Sequence, residues 1–157
     1  MTTNNTIGTT NSMTKSIPLA IILDHKDNSN ALDENYLTFI KNSIGESIKG
    51  DLCVISNIGS TTIVQGWKPL DQMNSFIMTL GGQINVAKAT AIAVEKIKEQ
   101  MNYYKNSGIE AGEAYIMLWS NVNAGNLDLY KQEISRRTAD MRTTPHFLYM
   151  NGRSISA

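Results

Sequence analysis

Ile17-Pro18-Leu19-Ala20-Ile21-Ile22-Leu23-Asp24-His25-Lys26-Asp27-Asn28 is the stretch that decides the fold. An unbroken apolar run ends in an acid, and a polar loop follows. From Leu32 the apolar residues Leu32, Tyr36, Phe39, Ile40, Ile44 and Ile48 recur at intervals of three and four. A strand buried on both faces reads as a continuous apolar run, and a helix with one buried face has this period. Strand, loop and helix in that order are the opening unit of an α/β sheet, whose ligands sit at the carboxyl ends of the strands.

The same reading extends along the chain. Asn30 caps the first helix and Gly50 stops it. Asp51–Ile58 is a second strand. Gly59-Ser60 is too short for a parallel crossover, so Thr61–Trp67 returns as an antiparallel hairpin partner. Lys68-Pro69-Leu70 leaves that strand. A short apolar piece, Met73–Leu80, leads to Gly81-Gly82. Ile84, Ala87, Ala91, Val94, Ile97, Lys98 and Met101 trace a long helix that ends near Asn106-Ser107-Gly108. Glu113–Trp119 is a fourth strand. Leu127–Arg137 is a short amphipathic helix with Leu127, Tyr130, Ile134 and Leu129 as its inner residues. His146–Met150 is the last strand. The order β-α-β-β-α-β-α-β predicts an α/β fold: a mainly parallel central sheet with one antiparallel edge strand and helices on both faces.

Composition sets the outer bounds. A chain of 157 residues with 41% hydrophobic and 18% charged residues is expected to form one domain, here 17–157. Residues 1–16, rich in Thr, Asn and Ser, are expected to be a disordered arm and not a secretory signal. Lys+Arg and Asp+Glu balance at 14 each, so no global field recruits nucleic acid or a membrane surface. No apolar run reaches a membrane span. The single Cys53 excludes an intramolecular disulfide and fits a reducing, cytoplasmic setting.

Pro18-Leu-Ala-Ile-Ile-Leu-Asp24, Trp67-Lys-Pro-Leu70, Leu80-Gly-Gly82 before a long helix, and Tyr115-Ile-Met-Leu118 stand in an order that resembles the von Willebrand factor A domain. The bacterial branch found with tellurium-resistance proteins is the most similar, and the resemblance spans nearly all of the chain after residue 16. It implies a Rossmann-like sheet, here shortened at the carboxyl end. It also implies a metal-ion-dependent adhesion site, in which an Asp-x-Ser-x-Ser loop, a threonine after the Gly-Gly and a late aspartate surround Mg²⁺ with oxygen ligands. By position, this chain keeps Asp24, has Lys26 and Asn28 for the two serines, Gln83 for the threonine and Ser120 for the late aspartate. One carboxylate is lost and an ammonium enters the shell. The resemblance therefore implies a degenerate site with no metal and no other cofactor. Two versions stay open: the Lys26 ammonium stands in for the cation beside Asp24, or Lys26 points to solvent. Asp27 is a candidate replacement carboxylate.

Other chemistry is sparse. His25 adjoins Asp24, but neighbours on an extended segment diverge, and neither His25 nor His146 has metal-ligand spacing. Gly81-Gly82-Gln83 lacks the phosphate-binding motifs. Cys53 has no local cation to activate it. Arg136, Arg137 and Arg142 read as a solvated face. Trp119 beside a polar loop is either an exposed anchor for a partner or the lid of the core. The expected function is a non-catalytic protein-interaction module, bound to a protein partner through the strand-end loops with Trp119, Asn121 and Asp27. The alternatives are a small-anion-binding protein or enzyme using the same crevice, and a structural subunit that forms a homo-oligomer through an open carboxyl-terminal sheet edge.

Overall fold

The computed structural model describes residues 15–24, 42, 49–58, 61–70, 84–120 and 127–151. The apolar run forms β1 (Ser16–Asp24), and every residue in it is buried. β2 (Lys49–Ile58) and β3 (Thr61–Pro69) follow as the hairpin. α1 (Val86–Asn106), β4 (Tyr115–Ser120), α2 (Leu127–Arg137) and β5 (His146–Asn151) complete the described elements. Of the helix expected from Leu32 only Asn42 is described, and it is helical; the apolar piece Met73–Leu80 lies outside the described residues.

The five strands form one sheet in the order β3-β2-β1-β4-β5. β1 pairs in parallel with β2 on one side and with β4 on the other, and β4 pairs in parallel with β5. β2 and β3 are antiparallel, with an irregularity between Leu52 and Val54. This is the mainly parallel sheet with one antiparallel edge strand that the sequence predicts. Among the described strands β3 is an edge, and its Gly66, Lys68 and terminal Pro69 discourage further strand pairing.

Both described helices pack on one face of this sheet. Ala20, Ile22, Cys53, Ile55, Ile116 and Leu118 meet Ala89, Ala93, Val94 and Ile97 of α1 and Tyr130 and Ile134 of α2 in a continuous core. Alternate residues, Leu19, Ile21, Leu23, Leu52, Val54, Met117 and Trp119, are buried on the opposite face. The centre of the sheet is thus withdrawn from water on both sides, which is why β1 and β4 carry no polar alternation.

Local chemistry sets the helix ends. The Asn85 side chain accepts from the Lys88 backbone N–H at 3.0 Å and caps α1. Gly108, at φ +70°, closes its other end, and the Ile109 N–H reaches back to the Tyr104 carbonyl at 2.9 Å. Three sequence readings need correction. Gly50 does not end a helix: it sits inside β2 at φ +149°, where a Cβ would collide with the Ile17 carbonyl of β1. Close approach of two parallel strands, and not helix termination, demands the glycine. Leu129 is 49% exposed and does not belong to the inner side of α2. Ser16 belongs to β1, not to an amino-terminal arm. No described helix is long and apolar enough to cross a membrane.

Candidate functional site

The sheet order changes direction at β1: β2 lies on one side and β4 on the other. The crevice outside the carboxyl ends of such a strand pair is where open α/β sheets bind ligands. Asp24 and Ser120 are the last residues of β1 and β4, and they are register partners. Parallel neighbours lie about 4.8 Å apart and present paired side chains on the same face. Asp24 and Ser120 therefore stand side by side, 6% and 3% exposed.

α2 supplies the third member. The Tyr130 hydroxyl donates to Asp24 Oδ2 at 3.1 Å, and Tyr130 is fully buried. Burial, reinforced by the Asp24 charge, pushes the phenol well above its ordinary range, so it remains a protonated donor at all physiological pH values. A buried carboxylate needs hydrogen-bond donors or a cation to offset lost hydration. The phenol provides a donor without coordinating anything. Sequence reading assigned Tyr130 to the core for its ring and missed this role. The signal was available: a tyrosine hydroxyl on an inward-facing helix position requires a polar partner.

The remaining positions of the expected site, Lys26, Asp27, Asn28, Gln83 and Asn121, lie outside the described residues, as do His25 and Gly81-Gly82. Among the described residues, no group of three or more His, Cys, Asp or Glu side chains is arranged to hold a metal ion.

Trp119 is the clearest correction. It is fully buried, flanked in register by Leu23 of β1 and Met150 of β5. It is a core residue and offers no surface to a partner. Side chains alternate along β4, so Trp119 faces away from Ser120. Its indole Nε1 is buried with no hydrogen-bond partner.

Other residues singled out by sequence fall as follows. Cys53 is buried, and desolvation pushes its thiol up to about 12, so it is no nucleophile. His146 is exposed and meets the Glu113 carboxylate at 2.8 Å, an acid brought near by the β4–β5 pairing and not by sequence proximity. Its ring stacks on Tyr115 at 4.9 Å between centroids. Arg136 and Arg137 both bind Glu133, at 2.8 and 3.1 Å, on the outer side of α2. Those hydrogen bonds hold the Glu133 carboxyl below its usual range.

No protein-family model matches this chain. No curated protein matches its sequence.

Proposed function

We propose that this chain is a non-catalytic binding module of von Willebrand A type. On this reading its metal-ion-dependent adhesion site is inactive, and a protein partner is engaged at the carboxyl ends of β1 and β4. One observation carries the reading: Asp24 and Ser120 are register partners at the point where the sheet order reverses, and Tyr130 donates to the Asp24 carboxylate. The residues that the resemblance aligns with a metal shell thus include two that lie side by side. In that pair the second position holds a hydroxyl in place of a carboxylate. Lys26, two residues beyond Asp24, adds an ammonium to a loop that would otherwise offer oxygen. Ammonium and Mg²⁺ in one shell repel by several kcal/mol at about 4 Å, even at an effective dielectric of about 20. Trp119 lies in the core, so on this reading the partner meets the carboxyl ends of β1 and β4 without it.

The test is a Mg²⁺ titration by calorimetry on the wild-type chain and on Lys26→Ser with Ser120→Asp. The wild type gives no binding heat at millimolar metal, and the folded double variant gains affinity. A folded double variant without binding heat contradicts the alignment of these positions with a metal shell.

A second reading has its own support. Among the described strands, β5 is an edge, and its Phe147, Leu148 and Tyr149 are only partly buried. An apolar edge of this kind favours pairing with another chain. Light scattering distinguishes a dimer built on β5 from a monomeric module.

A further inference from the structure

At the opposite end of the sheet from Asp24 lies a cavity of about 660 Å³. Small-molecule sites commonly span roughly 300–1,000 Å³. The starts of β1 and β2, the end of β3 and the last turns of α1 enclose it. Trp67, Tyr103 and Leu70 give it apolar and aromatic walls, and Asp51 and Lys49 bring charge.

The floor is built around Asp51. Tyr104 donates its hydroxyl to Asp51 Oδ2 at 2.7 Å, and Gln100 Nε2 donates to the same oxygen at 3.1 Å. Tyr104 is 1% and Gln100 6% exposed, so the carboxylate is held by fixed, buried donors. Both bonds fall on Oδ2, while Oδ1 takes neither. A carboxylate has room for about four donors. No cation pairs with Asp51 among the described residues. Lys49 precedes it by two positions on β2, on the same face and about 6.6 Å along the strand, and it too makes no ion pair there. Trp67, in the same cavity wall, carries a buried indole N–H with no acceptor.

Opposite charges held apart in an aromatic-walled cavity are complementary to a small molecule that carries both charges. We propose that this cavity binds a free α-amino acid with an aromatic side chain. Its ammonium donates to Asp51 Oδ1, its carboxylate meets Lys49, and its ring lies against Trp67 and Tyr103. Aromatic rings prefer such offset or edge contacts. The site is independent of the strand-end reading, because it occupies the amino ends of β1 and β2.

Calorimetry with L-phenylalanine, phenethylamine and 3-phenylpropanoate tests it on the full chain. Phenylalanine binds, and each truncated analogue binds at least about tenfold more weakly, since a lost charge-assisted bond has about that weight. Asp51→Asn removes the preference for phenylalanine over phenylpropanoate. Lys49→Gln removes the preference over phenethylamine, and because Lys49 is exposed that variant folds irrespective of how Asp51→Asn behaves. No binding of phenylalanine at millimolar concentration overturns the proposal. So does equal binding of either analogue to the wild type, or unchanged affinities in both variants.

Discussion

Tyr130→Phe is the most informative single change, because it removes one hydroxyl from the strand-end site and nothing else. Tyr130 is fully buried and Asp24 is 6% exposed, so solvent cannot replace the lost donor freely. A hydrogen bond to a charged group contributes about 1.5–3 kcal/mol. At 3.1 Å the bond is longer than the usual O–H···O distance of about 2.7–2.8 Å, which favours the lower half of that range. The ring stays, so no cavity forms. The expected loss is therefore about 1.5–2 kcal/mol, or a Tm decrease of about 3–8 °C for a chain of this size. A cycle with Asp24→Ala, which leaves no acceptor for the phenol, isolates the pair, because the cost of disturbing other contacts of Asp24 cancels. Chemical denaturation of the four proteins reads it. A coupling energy of at least about 0.5 kcal/mol is expected for groups in contact. A coupling near zero refutes the claim that this phenol holds the Asp24 carboxylate.

Trp119→Ala is expected to destabilise the fold by about 3–5 kcal/mol, through loss of a fully buried side chain, as read by thermal melting. Trp119→Phe is milder, because it removes the unpartnered indole N–H along with part of the ring. Gly50→Ala is expected to cost about 1–3 kcal/mol from its φ alone, with the collision against the Ile17 carbonyl added; urea titration measures it. Stability is expected to fall at alkaline pH. Cys53, Tyr104 and Tyr130 have pKa values raised by burial above the ordinary 9.0 and 10.0. Their stabilising effect is complete below those values. Above them the unfolded chain releases protons that the folded chain retains. Each group then subtracts up to about 1.4 kcal/mol per pH unit. Denaturation midpoints measured from pH 8 upward should decline first through Cys53 and then through the tyrosines.

Much of the fold was legible because its signals are local. The apolar run 17–23, the two-residue link after Ile58 and the period of the helix after Asn85 each fix an element without reference to the rest. Their order then constrains the sheet through the short hairpin and the long crossovers. What sequence missed are contacts between distant residues. Asp51 meets Gln100 and Tyr104 across separations of 49 and 53, and Asp24 meets Tyr130 across 106. Local traces of them exist. Asp51 occupies an inward position in alternation with Cys53 and Ile55. Gln100 and Tyr104 continue the inward row of Ala93 and Ile97 on α1 with polar groups. A polar residue on an apolar row requires a polar partner, although sequence does not say which. Trp119 was ambiguous for a different reason. In a strand buried on both faces, proximity to a polar loop says nothing about which face a residue takes.

The strand-end site is tested most directly by wild-type crystals soaked in Mn²⁺, with anomalous scattering recorded above the manganese absorption edge. Manganese takes the same hard oxygen ligands as magnesium and reveals its position without ambiguity of identity. No anomalous peak at Asp24 and an unchanged hydrogen bond from Tyr130 are expected. A manganese ion coordinated by Asp24 contradicts the reading of an inactive metal site.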